Sequence, residues 1–268
     1  MKYITQLALT LLVTLVITSC SDMSKNETLA SKASNSFYVE YLMCDFGPDA
    51  SPETFVPMIS EWNDTLDTLE TAVPYSVGLV PQFETELMEM LWVLVWPSQE
   101  MSEAGWKEWI EGPADAWTEK VRPIVDCGSE AEGTIRNYAF DVYSFWSPKA
   151  VDQEPPGITG FSFCTYSPTN TEQVLLDGID SYNSWLDLVT EGVDQPSAYF
   201  YNIHVPRFET PIEGSQAGAY DYAYLHFWES EEVRQQGSAL FESSGSANAD
   251  NPCTEIMLYD SYPYRNKL

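Results

Sequence analysis

The chain has 268 residues, 44% hydrophobic and 14% aromatic, enough apolar surface for a packed core and too much for a mainly disordered chain. Twelve Lys and Arg stand against 41 Asp and Glu, a formal net charge of −29. A field of that sign repels phosphate backbones and anionic lipid surfaces, so no nucleic-acid partner is expected, and an acid-rich solubilising surface explains the charge more simply than a cation site.

Lys2 precedes a run from about Ile4 to Ile17 that is almost all apolar or Thr. The run is short for a membrane span and fits a signal-peptide core. It ends in Ile17-Thr18-Ser19-Cys20, which resembles the bacterial lipobox. The resemblance implies a signal peptide over 1–19, lipidation of Cys20 and anchoring in the cell envelope. Ser21, with no Asp directly after the Cys, implies the outer membrane, facing the periplasm or the exterior. An ordinary signal peptide cleaved nearby is the alternative. Residues 20–35, rich in Ser, Lys, Asn and Ala, read as a flexible tether.

Two stretches follow that repeat one another in order. Cys44 aligns with Cys164. Ile59, Asn63, Leu66 and Asp67 meet Ile179, Asn183, Leu186 and Asp187. Val80-Pro81 with Phe83-Glu84-Thr85 meets Val205-Pro206 with Phe208-Glu209-Thr210. Trp96, Ser98, Glu100 and Gly105 meet Trp228, Ser230, Glu232 and Gly237, and Cys127 meets Cys253. Repeat one spans 36–147 and repeat two 158–268, with a proline-bearing linker at 148–157. Strands are predicted over 37–46 and 158–166, bounded by Pro and rich in aromatics. Helical spacing places Phe55, Met58, Ile59, Trp62, Leu66 and Leu69 on one face, and Leu175, Ile179, Tyr182, Leu186 and Val189 on another. Thr169 to Glu172 reads as a capping box. Strands near 74–80, 89–96, 197–205 and 219–228 come next. Each repeat then has a second helix, the first one interrupted at Gly112-Pro113, and a closing strand near 134–145 or 254–262.

That βαββαβ order is similar to the ferredoxin-like unit. Two units in one chain resemble a fused member of the dimeric α/β barrel superfamily, which implies an α+β fold of two tandem ferredoxin-like repeats packed as an intramolecular pseudo-dimer, and so a monomer. Leu225-His226-Phe227-Trp228-Glu229-Ser230-Glu231-Glu232 also resembles the strand-to-helix junction of antibiotic-biosynthesis monooxygenases. Those families often carry a His along the second helix. Gly105 and Gly237 fall in that region, so that histidine chemistry is not carried over. In the ferredoxin-like unit the first and last strands are antiparallel neighbours, which places Cys44 near Cys127 and Cys164 near Cys253. Opposed residues of such a pair are close enough for a disulfide, and an exported chain favours oxidised thiols.

Strand parity assigns a helix-packed face to Ala223, Leu225 and Phe227 and an inward face to Tyr222, Tyr224, His226 and Trp228. The same logic turns Trp92, Leu94 and Trp96 inward, with Arg136, Tyr138 and Phe140 and with Glu255, Met257 and Tyr259. The expected result is an aromatic cavity between two sheets with a few polar groups, suited to a small apolar or aromatic ligand. Packing between the sheets with no cavity is the plain alternative. His226 is the candidate catalytic residue, since imidazole titrates near neutrality, with Glu255 as its orienting carboxylate; a hydrogen-bonded core His is the plain alternative. His204 is expected to make a loop contact. No metal site or cofactor is called for: there is no C-x-x-C pair, only two His are present, and no phosphate-binding or nucleophile-elbow motif occurs. Three functions follow: an envelope lipoprotein binding a small hydrophobic ligand, a cofactor-independent monooxygenase or isomerase using His226, and a structural envelope protein without a ligand.

Overall fold

The computed structural model describes residues 27–146, 155–191, 198–208, 220–244 and 253–267. The expected signal peptide, Cys20 and most of the expected linker lie outside them. The first half contains α1 (Leu29–Lys32), β1 (Asn35–Phe46), α2 (Pro52–Leu66), β2 (Tyr75–Pro81), β3 (Met90–Trp96), α3 (Gln99–Glu111), α4 (Ala114–Val121), β4 (Val125–Asp126) and β5 (Asn137–Trp146). The second contains β6 (Gly157–Cys164), α5 (Glu172–Thr190), β7 (Phe200–Pro206), β8 (Tyr222–Trp228), α6 (Glu231–Ser243) and β9 (Met257–Asn266).

Local chemistry sets the helix starts. Ser51, Ser98, Thr171 and Ser230 each accept a backbone N–H three residues on, satisfying one amide that the first turn leaves free. The cap of α5 is thus Thr171, two residues beyond the expected Thr169. Gly112 separates α3 from α4. Within the stretch read as a tether, α1 is capped by Thr28 and buries Leu29, and Lys32 pairs with Asp180 of α5 at 2.5 Å. Gly157, expected in the linker, opens β6.

The strands do not form two sheets packed across an interface, and the expectation of tandem ferredoxin-like repeats in that arrangement is corrected. Among the described residues they form one closed eight-stranded antiparallel barrel with six helices. The order β3-β2-β9-β6-β8-β7-β5-β1 closes through β1 and β3, and β4 extends from β1. The halves join edge to edge through β2–β9 and β5–β7. The physical reason is the strand edge: an open sheet leaves rows of unpaired N–H and C=O groups, and closure removes them.

Closure also decides what lies inside. Val39, Tyr41, Met43, Leu91, Val93, Phe140, Phe161, Leu225 and Tyr259 form one buried cluster drawn from both halves. An eight-stranded barrel is about wide enough for side chains to fill. Here Tyr41 meets Phe140 and Phe161 edge-on at 5.4 and 5.7 Å. Three further clusters lie outside the barrel, and two of them show how the helices pack on each half. One joins Trp62 and Leu66 to Trp92 and Leu94; the other joins Leu186 to Tyr201 and Trp228.

Disulfides Cys44–Cys127 and Cys164–Cys253 close each half. Each ties the end of the half's first strand to the segment just before its last. They close loops of 83 and 89 residues, which limits the unfolded chain more than the folded one. Replacing Cys164 and Cys253 together by Ser is expected to lower stability by about 2–4 kcal/mol, read as a shift of the urea midpoint under non-reducing conditions; an unshifted midpoint contradicts this.

Candidate functional site

Barrel closure reverses the expected parity in β3 and β8. Trp92, Leu94 and Trp96 point outward to the helices, and Leu91 and Val93 point inward. Tyr222, Tyr224, His226 and Trp228 likewise face α5 and α6, while Leu225 fills the barrel. Tyr138, Phe140, Met257 and Tyr259 are in or against the barrel core. The polar residues expected beside them are elsewhere. Arg136 bonds Leu87 O at 2.5 Å and Asp45 at 3.0 Å in a partly exposed position, and Glu255 is exposed ahead of β9. The expected inward set is therefore split between two sides of one sheet.

The two outer faces differ. In the first half the gap between sheet and helix is nearly filled, leaving a cavity of about 120 Å³. Trp96 lies against Gly105 so closely that an added β-carbon would meet its ring at 2.4 Å. The Glu40 carboxylate, 4% exposed, is saturated: Trp96 Nε1, Ser102 Oγ and Trp106 Nε1 donate to Oε2 at 2.8 Å each, and Asn137 Nδ2 donates to Oε1 at 2.6 Å. A buried carboxylate is tolerable when hydrogen-bonded in this way. Trp109 and Trp117 close the remainder, in edge contact at 6.2 Å.

In the second half the matching gap is a cavity of about 860 Å³. Gly160 stands where Glu40 does, and Ser238 stands where Trp106 does. A β-carbon on Gly237, the counterpart of Gly105, would find nothing nearer than Trp228 Nε1 at 3.9 Å. Residues 245–252, which follow α6, lie outside the described residues. The sheet side of the cavity is a ladder of rings: Tyr224 and His226 stack at 5.9 Å and 15°, and His226 and Trp228 at 5.4 Å and 19°. Leu175, Ile179 and Tyr182 of α5 and Phe241 of α6 supply the helix side. Arg234 is the one charged group among the described lining residues, and Glu231 engages it through two hydrogen bonds of 2.6 and 2.7 Å.

His226 Nδ1 is held by Tyr199 Oη at 2.9 Å, and Tyr199 Oη by Tyr182 Oη at 2.8 Å. Tyr199, not Glu255, therefore orients the ring. It lies in the turn before β7, which sequence spacing does not connect to His226. Burial pushes the His226 pKa down to about 4 and the Tyr199 phenol well up, so both stay uncharged at neutral pH.

His204 makes no loop contact. It is 2% exposed inside the barrel, its Nε2 is 2.8 Å from Tyr41 Oη, and its Nδ1 has no partner in the described structure. Burial pushes its pKa down to about 3. Among the described residues no three His, Cys, Asp or Glu side chains gather as metal ligands, and no helix is long and apolar enough to cross a membrane.

No protein-family model matches the sequence, and no curated protein matches it. Solved structures align with most of the chain at low identity. A chain from Fusobacterium nucleatum provisionally described as a monooxygenase has 7% identity and a TM-score of 0.46, over 86% of this chain and 92% of that one. A mutant chlorite dismutase from Candidatus Nitrospira defluvii has 6% identity and a TM-score of 0.46, over 89% and 93%. A heme-binding protein from Thermus thermophilus has 9% identity and a TM-score of 0.44, over 84% and 91%. At these values the likeness carries no argument, and both fold and chemistry are read from this chain's own residues.

The histidines, above all the buried His204, make stability pH-dependent. A His held neutral in the fold, with a pKa below its ordinary value near 6.5, binds a proton more readily when unfolded. Its contribution is complete above about pH 6.5 and is lost as pH falls toward 3. For His204 the slope approaches roughly 1.4 kcal/mol per pH unit once the unfolded side chain is protonated. Wild type should lose urea resistance between pH 6.5 and 5, where most carboxylates are still ionised, and His204→Gln should lose less. An equal loss in the variant contradicts this origin.

Proposed function

We propose that this protein binds a small, mostly apolar and aromatic molecule in the helix-covered cavity of its second half. The observation that carries the reading is the contrast between matched halves. The same Trp, the same capping Ser and the same helix Gly recur, yet the gap is about 120 Å³ in one half and about 860 Å³ in the other. A concave site lined by aromatic rings, with few polar groups, is the usual form of a small-molecule site. The stacked ladder from Tyr224 to Trp228 offers flat faces to a flat ligand. A position between two sheets is no part of this reading, because the barrel interior is occupied by its own side chains.

The geometry favours binding over acid–base catalysis by His226. A base whose conjugate acid has a pKa of about 4 is poorly matched to proton abstraction at neutral pH. A purely structural role gives no reason for one gap to stand open beside a filled counterpart. The barrel closes within one chain, which supports a monomer. The lipobox-like Ile17-Thr18-Ser19-Cys20 supports export and anchoring of the protein to the cell envelope through Cys20. Cys20→Ser should abolish incorporation of labelled fatty acid in a bacterial host and release the protein from the membrane fraction; unchanged labelling contradicts the anchor.

The cavity is tested by filling it. Gly237→Phe introduces a ring into the open gap, where the nearest described atom beyond its own helix lies 3.9 Å from the new β-carbon. The neutral dye N-phenyl-1-naphthylamine should brighten on binding wild type, and Gly237→Phe should lose most of that signal while melting within a few degrees of wild type. Equal brightening in both proteins contradicts the assignment.

A further inference from the structure

The described lining of the cavity carries no carboxylate. In the first half Trp96 Nε1 donates to Glu40. In the second half the position of Glu40 is Gly160, where an added β-carbon would meet Ile256 at 2.6 Å and Trp228 Cζ3 at 3.1 Å. The benzo edge of the Trp228 indole therefore lies over the strand position that carries the carboxylate in the other half. Its Nε1 lies instead toward Gly237, beneath α6, and no described residue accepts from it.

The neighbouring ring is His226, stacked on Trp228 at 5.4 Å. The phenol chain behind it can run in either direction, and the direction sets which nitrogen carries the proton. If Tyr182 donates to Tyr199 and Tyr199 donates to His226 Nδ1, both phenol protons have acceptors and the imidazole N–H is the donor left open. The reverse direction leaves the Tyr182 proton without an acceptor among the described residues. The first direction places the imidazole proton on Nε2, which no described residue bonds and which faces the cavity that His226 lines. Two ring N–H donors thus stand side by side on one face of β8, and Glu231 already engages the Arg234 guanidinium.

From this arrangement we infer that the cavity selects a flat, uncharged molecule bearing a carbonyl-type acceptor oxygen, received by His226 Nε2–H and Trp228 Nε1–H. The inference rests on the cavity being a ligand site and adds the polarity of the group it recognises. An uncharged acceptor follows from the surroundings: the chain carries a net charge of −29, the lining cation is already paired, and an anion entering this field is repelled.

Three planar probes of similar outline separate the possibilities: fluorene, 9-fluorenone and fluorene-9-carboxylate. Each is titrated against the intact protein carrying N-phenyl-1-naphthylamine, and the concentration that displaces half the dye is read. For wild type, 9-fluorenone should displace the dye at roughly tenfold lower concentration than fluorene, the scale of one or two added hydrogen bonds, and the carboxylate should be the weakest. His226→Phe and Trp228→Phe keep aromatic bulk, so fluorene should still displace while the fluorenone preference falls toward one. Equal displacement by fluorene and fluorenone in wild type overturns the inference and leaves the apolar cavity standing. A fluorenone preference that survives in both variants overturns the assignment of the two donors. Strongest displacement by the carboxylate overturns the uncharged class. Failure of the dye to bind wild type at all removes the cavity reading, and this inference with it.

Discussion

Edge-to-edge pairing of the two halves is the constraint on which the rest depends. Once β2 pairs with β9 and β5 with β7, no sheet edge remains open around the barrel, and the inner faces of all eight strands share one enclosed volume. Tyr41, Phe140, Phe161, Leu225 and Tyr259 fill it. A ligand site cannot then lie between the halves without displacing the core that holds them together. Any opening must occur on the outside, between strands and helices, where the spacing is set separately in each half.

That spacing is set by a few side chains at matched positions. In the first half Gly105 lets α3 approach until Trp96 and Trp106 both reach Glu40. The carboxylate, buried and fully hydrogen-bonded, draws helix and strands together. In the second half the acid is absent, Trp106 gives way to Ser238, and Gly237 no longer touches the sheet. The same architecture thus holds a closed polar staple on one side and an open aromatic chamber on the other. A histidine kept neutral by burial and aimed by Tyr199 stands within the chamber.

Much of this was legible in the residues. The resemblance implied that the first and last strands of each half are antiparallel neighbours, and that pairing, of β1 with β5 and β6 with β9, goes with both expected disulfides. The break at Gly112-Pro113 and the aromatic run of β8 were also readable. The direction of the β3 and β8 faces was not. Both sides of those strands are apolar, so alternation carries no polarity signal, and only volume distinguishes them. In these two strands the barrel takes the slimmer Leu and Val residues, such as Leu91, Val93 and Leu225, while Trp92, Trp96 and Trp228 need the deeper layer under the helices. His204 was misplaced because its partner, Tyr41, lies 163 residues away. Tyr199 was missed for a related reason: its bond to His226 depends on how the turn before β7 meets β8, and no spacing rule encodes that.

The central claim is that the second half holds a small molecule. Native mass spectrometry of the protein purified from its own host under gentle conditions tests this most directly. The account predicts a stoichiometric adduct that Gly237→Phe does not retain, released on denaturation as an apolar compound bearing an acceptor oxygen. An adduct-free wild-type mass, together with no uptake of planar apolar compounds on titration, would contradict it.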